Sequence, residues 1–121
     1  TVIDLADGQP GPPWIGVFPH KDGRHSQNVV VRNNLATDYT LDGDNVVDDH
    51  NLVIEDAALL FVAPPFDLHL RAGAAALDGG SPTLAPPLDI EQRVRPQGAG
   101  FDLGAYERPV DLIFRNGYEA P

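Results

Sequence analysis

The sequence predicts an all-β fold in which short strands are joined by turns. Twelve glycines and twelve prolines in 121 residues divide the chain into short segments, and both residue types interrupt helices. Phe66–Leu70 and Phe101–Tyr106 alternate apolar and polar residues, which is typical of a half-buried strand. No stretch keeps the 3.6-residue apolar period of an amphipathic helix.

The first half of the chain contains the clearest strand patterns. Trp14–Phe18 is apolar and lies between prolines, so it predicts a short strand. The polar segment His20–Gln27 contains an Asp-Gly pair and predicts a loop with a turn. Asn28–Ala36 is rich in β-branched residues and is the strongest strand prediction. Tyr39–Leu41 predicts a brief strand.

The second half continues with strands and longer loops. Apolar pairs or runs at Val46-Val47, Leu52–Ile54 and Leu59–Val62 flank polar segments. Ala72–Ala76 predicts one helical turn, and the glycine- and proline-rich Asp78–Pro87 predicts a loop. The sequence shows no exact internal repeat, and the spacing of strands and turns is irregular.

Size and charge limit the classes of function. At 121 residues the chain is one domain at most. Its net charge of −10 repels phosphate backbones, so nucleic acid is not expected as a partner. Cysteine is absent, which excludes disulfides and thiolate metal sites. No apolar window reaches about 18 residues, so no membrane span is predicted.

Three segments carry specific residue patterns: Ser26–Leu35 (SQNVVVRNNL), Phe66–Gly80 (FDLHLRAGAAALDGG) and Arg95–Glu107 (RPQGAGFDLGAYE). Together they resemble the C-terminal part of secreted bacterial right-handed parallel β-helix proteins of the pectate-lyase-like, choice-of-anchor Q type. In the second segment, Ala74-Ala75 stands where the pattern has Ser-Pro. The resemblance implies a right-handed parallel β-helix of four to five coils over residues 14–107. An extended leader at 1–13 and a C-terminal tail at 108–121 would flank it.

The two ends of the chain add to this expectation. Asp111–Glu119 (DLIFRNGYE) resembles the ending of many exported proteobacterial proteins, which implies a secreted or cell-surface bacterial protein. Thr1–Asp4 shows no signal-peptide pattern, which predicts a mature product, a truncated chain or a cytosolic protein. A few coils without an N-terminal cap predict an incomplete stack that associates with another chain or a second copy.

The resemblance further implies a role in polysaccharide recognition or degradation. The chain would be a structural or glycan-binding C-terminal segment of a larger protein. The alternative is part of a calcium-assisted polysaccharide lyase that acts by β-elimination. Lys21 would then abstract the proton α to a uronate carboxylate, Arg24 would neutralise that carboxylate, and His25 or His20 would donate a proton. The competing interpretation of this cluster is a solvated loop between two strands.

A second cluster is acidic. Asp42, Asp44, Asp48 and Asp49 offer the oxygen ligands that calcium prefers, and they are the candidate metal ligands. The twelfth position counted from Asp42 is Val53 rather than glutamate, so the segment is not an EF-hand loop. An acidic turn without a metal is the alternative. His50 and His69 are expected to lie on strand surfaces or in the core rather than to bind a metal.

Overall fold

Residues 1–3 and 14–109 are described by the computed structural model. In these ranges the chain forms a small all-β domain, as the sequence predicts, with short strands in four two-stranded sheets. The elements are β1 (Trp14–Val17), β2 (Val30–Arg32), β3 (Leu35–Ala36), β4 (Asp38–Leu41), β5 (Val47–Asp49), β6 (Leu52–Val53), α1 (Ala57–Leu60), β7 (Phe61–Ala63) and β8 (Asp67–Leu70).

Three of the sheets are parallel pairs, and two of them share one register. β1 pairs with β4, β2 with β5, and β3 with β6. In the last two sheets Val30 lies opposite Val47 and Leu35 opposite Leu52. Each pair is 17 residues apart in the sequence, as are Arg32 and Asp49, whose side chains form an ion pair.

The shared register reveals a degenerate repeat. Asn28–Ala36 (NVVVRNNLA) stacks on Asn45–Val53 (NVVDDHNLV), and two asparagines, two valines and a leucine recur at equal positions. Asn33 and His50 occupy equivalent corners and have φ of 63° and 54°. The corner at Asn33 divides the predicted single strand into β2 and β3, because a left-handed residue cannot continue a strand.

The predicted right-handed parallel β-helix of four to five coils is wrong. The described residues form four separate two-stranded sheets and no solenoid, and the fourth sheet, β7 with β8, is antiparallel. The predicted strand at Phe101–Tyr106 contributes one isolated bridge, between Gly80 and Phe101. Its long-range hydrogen bonds come from the backbone, with Leu103 N–H donating to Ala76 O and Gly104 N–H to Asn33 O, and from the Asp102 carboxylate, which accepts the N–H of Asp78.

The predicted flanking segments are described only in part. Of the leader at 1–13 and the tail at 108–121, the described residues are 1–3 and 108–109. The tail motif Asp111–Glu119 therefore lies outside the described residues. Within the described ranges, no helix has the length and apolarity needed to cross a membrane.

The apolar core lies between the repeat, the hairpin formed by β7 and β8, and the closing segment, which we define as residues 95–107. Leu35 and Phe61 are almost fully buried, at 0% and 1% exposure. Burying a side chain of this size contributes about 2 kcal/mol. The core cluster consists of Leu35, Ile54, Leu60, Phe61, Leu70, Ala74, Ala76 and Leu103. Asp56 caps α1 by accepting a hydrogen bond from the backbone N–H of Ala58 at 3.1 Å.

A buried ion pair organises the closing segment. Arg95 Nε donates to Glu107 Oε1 at 2.8 Å, and the two side chains are 5% and 0% exposed. Glu107 also accepts the backbone N–H groups of Gln97 and Asp102. Asp102 in turn accepts backbone N–H groups at both carboxylate oxygens, from Asp78 and Arg108. The charged residues of the RPQGAGFDLGAYE string therefore close the fold together with scattered backbone hydrogen bonds rather than with a regular strand ladder.

Burial affects the ionisation of one member of this network. Desolvation raises the pKa of Asp102, while the hydrogen bonds from the backbone of Asp78 and Arg108 act in the opposite direction. The Asp102 carboxyl therefore lies in a site that disfavours its charge.

Candidate functional site

The predicted catalytic residues lie on an exposed loop, residues 20–26, that follows β1. The backbone N–H of His20 donates to Arg24 O at 2.7 Å, and that of Gly23 donates to His20 O at 2.8 Å. Gly23 has φ of +88°, a conformation that glycine adopts without strain. Asp22 completes the turn by accepting the backbone N–H of Arg24 at 3.0 Å. The predicted loop and turn are thus confirmed.

Acidic side chains accompany the cationic ones on this loop. Arg24 Nε donates to Asp22 Oδ2 at 2.7 Å, and this guanidinium lowers the pKa of the Asp22 carboxyl. His20 Nδ1 lies 3.0 Å from the other oxygen of Asp22, and His25 Nδ1 lies 3.3 Å from Asp44 Oδ1. These contacts are exposed, so they hold the loop together weakly and are screened by salt.

The loop and the residue after β1 enclose an open cleft of about 420 Å³. Its lining consists of Phe18, His20, Arg24, His25 and Ser26. The structure therefore brings together Arg24 and His25 of the predicted set, and adds an aromatic ring and a hydroxyl. We call this feature the Phe18 cleft.

From the sequence, Phe18 is a candidate for stacking on a sugar ring, but aromatic residues of short strands usually belong to the core, which is the interpretation that the pattern favours. Its side chain is 51% exposed, and β1 ends one residue earlier. The ring folds back over Gly16, where an added Cβ would lie 2.1 Å from Phe18 Cε2. The signal for this arrangement is the glycine two positions before the phenylalanine, which leaves room for the ring.

Lys21 is the one lysine of the chain, and it is exposed on the same loop. It is not among the residues that line the Phe18 cleft. A lysine that acts as a general base needs a desolvated position or nearby cations, and this lysine lies in solvent. The catalytic role of Lys21, Arg24 and His25 stays a prediction.

The four predicted calcium ligands lie in two different settings. Asp42 and Asp44 are exposed beside the 20–26 loop, and the backbone N–H of Asp44 donates to Ser26 O. Asp49 is paired through both carboxylate oxygens with Arg32, and Asp48 accepts from Asn51 Nδ2 at 2.7 Å.

The ion pair with Arg32 has an electrostatic consequence for the predicted metal site. The hydrogen bonds from Arg32, followed by that from His50, lower the pKa of Asp49, so its carboxylate is ionised but already neutralised. Among residues 1–3 and 14–109, no group of three or more His, Asp or Glu side chains is arranged to hold a metal ion. Calcium binding by these aspartates stays a prediction.

A second open cleft, of about 410 Å³, lies between β2 and the loop around residues 83–90. Its polar side chains bind other parts of the domain: Arg32 to Asp49, Asn33 to the backbone O of Ser81, and Arg95 to Glu107. Leu84 and Ile90 at its rim are 76% and 65% exposed. The accessible part of this cleft is therefore mainly apolar.

Comparison of the chain with protein-family models, curated proteins and solved structures finds no match. The resemblance to secreted bacterial β-helix proteins therefore depends on the sequence motifs alone.

Proposed function

We propose that this chain is a non-catalytic polysaccharide-recognition module of a larger secreted or cell-surface bacterial protein, and that it binds sugar at the Phe18 cleft. The observation that carries the proposal is the lining of that cleft: a half-exposed aromatic ring lies beside a guanidinium, two imidazoles and a hydroxyl. An amphipathic ligand such as a sugar offers both an apolar face and hydroxyl groups to such a surface.

The geometry of the loop favours the binding of a ligand and does not require a catalytic reaction. The turn closed by His20 and Arg24 fixes the backbone of the loop, and Asp22 orients the guanidinium of Arg24. A side chain oriented before the ligand arrives loses less conformational entropy on binding. The cleft is open, which suits an extended chain of sugars better than a small enclosed substrate.

The remaining charged groups support a structural role for the rest of the domain. Arg95, Asp102 and Glu107 are buried and bind one another or the backbone. Perturbed and buried titratable groups are found both in catalytic sites and in structural ion networks. Here they hold the closing segment in place and are remote in sequence from the cleft.

The test is calorimetric titration of the protein with polygalacturonate, alginate and a neutral β-glucan. Phe18→Ala is expected to weaken binding about fivefold or more, the effect of losing one important contact residue. Phe66→Ala is the matched control, because Phe66 is 94% exposed at the tip of the β7–β8 hairpin. Equal affinity of the two variants, or no binding of any glycan by the unmodified protein, would contradict the proposal.

The alternative function is a calcium-assisted polysaccharide lyase. The observation in its favour is that Arg24 and His25 line one cleft, with Lys21 on the same loop. Incubation with uronate polymers, with and without calcium, would then increase the ultraviolet absorbance of a 4,5-unsaturated uronate, and Lys21→Ala would abolish the increase. We expect no increase under either condition.

A further inference from the structure

His69 connects two parts of the domain that are not joined by strand pairing. Its side chain is half-exposed on β8, and Nδ1 lies 2.6 Å from Asp67 Oδ1 on the same strand. Nε2 lies 2.8 Å from Oε1 of Glu91, a residue 22 positions further along the chain. The ring also contacts Tyr106, with 4.3 Å between the ring centroids.

Glu91 is presented to His69 by a well-ordered turn, residues 89–93. The backbone N–H of Asp89 donates to Arg93 O at 2.9 Å, and Asp89 Oδ1 accepts the backbone N–H groups of Glu91 and Arg93. Burial would raise the pKa of Asp89, but the hydrogen bonds from the amides of Glu107, Arg93 and Glu91 outweigh it and lower that pKa. The turn therefore keeps its shape over the pH range in which a histidine titrates.

Each ring nitrogen of His69 faces a carboxylate oxygen, and only the protonated ring can donate a hydrogen bond from both nitrogens. The neutral ring would direct a lone pair at one of the two carboxylates. We propose that His69 is a pH-dependent latch: while protonated it ties the β7–β8 hairpin to the 89–93 turn, and on losing its proton it releases the hairpin.

The charged and titratable neighbours of the ring determine the direction of the effect. Asp67 and then Glu91 raise the pKa of His69 above 6.5. A histidine of this kind contributes stability that is fully present below pH 6.5 and is lost as the pH rises through its higher value in the folded protein. Arg93 Nε lies 3.5 Å from the same oxygen, Oε1 of Glu91, and competes for that carboxylate, while Tyr106 adds an aromatic ring contact.

Release of the latch has a defined structural consequence. The hairpin carries the exposed Phe66, and the turn carries the exposed Ile90. Ile90, with Leu88 and Asp89, also lines the second cleft. The protonation state of His69 thus decides whether the hairpin is fixed against one wall of this cleft.

The experiment combines NMR titration of the His69 ring with hydrogen-exchange protection factors of the β8 amides, from about pH 5 to pH 9. Protection in β8 should fall about two- to fivefold as the ring deprotonates, the effect of an exposed ion pair. Glu91→Gln keeps an acceptor but removes its charge, so it should lower the midpoint by about 0.2–0.7 pH units. His69→Gln should abolish the transition.

The matched control is His50→Gln, because His50 contacts Asp49, the residue directly before it, and so joins no separate segments. This variant should keep the pH transition of β8. A pKa of His69 at or below 6.5, β8 protection that does not change with pH, or an unchanged transition in His69→Gln would each overturn the proposal. None of these outcomes depends on glycan binding.

Discussion

At the scale of single residues, Glu107 has the largest structural role in the closing segment. Its carboxylate binds Arg95 and two backbone amides, and its side chain is fully buried. Its backbone N–H donates to Asp89 Oδ2 at 2.8 Å. This one residue therefore connects the closing segment to the 89–93 turn.

Replacing Glu107 by alanine should lower the free energy of unfolding by about 3–5 kcal/mol, because it leaves the Arg95 guanidinium buried without a counter-charge. Urea unfolding monitored by circular dichroism measures the change. Arg93→Ala is the control: Arg93 is exposed, and its loss should cost less than about 1 kcal/mol. If the two variants lose equal stability, the buried pair does not have the role described here.

Gly16 is a second residue whose small size matters, because the ring of Phe18 lies over it. Gly16→Ala should leave the free energy of unfolding within about 1 kcal/mol of the unmodified value, because the obstructing atoms belong to the outer end of the Phe18 ring, which can turn away. The nuclear Overhauser contact between the ring of Phe18 and residue 16 should disappear, and glycan affinity should fall with it. A ring that keeps its position in this variant would contradict the described packing.

At the scale of secondary structure elements, the two stacked repeat units are joined by side-chain amides. Asn51 Oδ1 accepts the backbone N–H and the Nδ2 group of Asn34, both at 3.0 Å, and Asn51 Nδ2 donates to Val31 O at 2.7 Å. The equivalent outer pair is exposed, with Asn45 Nδ2 donating to Asn28 Oδ1 at 2.7 Å.

Asn51→Ala should therefore cost about 1–3 kcal/mol, since it leaves a partly buried amide and a carbonyl without partners. Asn45→Gly at the equivalent exposed position should cost about 0.5 kcal/mol or less, because glycine keeps the left-handed backbone of this residue (φ 56°) without strain. Thermal and urea unfolding of both variants give the comparison. A similar loss in both would show that burial does not distinguish the two asparagine pairs.

Local patterns explain which elements the sequence predicts. β1, β4 and β8 lie within the predicted strands at Trp14–Phe18, Tyr39–Leu41 and Phe66–Leu70, to within a residue at their ends. These strands depend on short-range apolar patterning. The 17-residue repeat was also present in the sequence, but only as two short strings, Asn-Val-Val and Asn-Leu, separated by residues that differ.

Other features depend on contacts that a single sequence does not encode locally. The alternation at Phe101–Tyr106 predicts a strand, but Asp102 and Glu107 bind groups that are distant along the chain. For the candidate site, the cationic loop was readable from its composition. The exposure of Phe18 was not, because it depends on how the ring packs against the strand.

At the scale of the whole molecule, the distribution of charge determines the response to acid. Asp22, Asp49, Asp67 and Asp89 all have a pKa below the ordinary value of 3.8. A carboxyl group of this kind contributes stability above its unfolded pKa and loses it as the pH falls through its folded pKa. Asp102, whose pKa is raised, contributes in the opposite direction.

The urea midpoint should therefore decrease as the pH falls below about 4. The four aspartates with lowered pKa values lose stability in this range, and Asp102 alone has the opposite effect. Asp49→Asn should reduce the slope of this decrease, because the Arg32 pair no longer titrates. Midpoints measured from pH 7 to pH 2.5 in this variant and in the unmodified protein test the expectation. A midpoint that is constant over this range would contradict it.

Lys21 gives the Phe18 cleft a practical property. It is the only lysine in the sequence, and it is exposed beside the cleft without lining it. An amine-reactive dye can therefore be attached through a single ε-amino group at the rim of the cleft, once the α-amino group of the chain has been blocked. The emission of that label would change when a ligand occupies the cleft, and the protein would act as its own optical sensor.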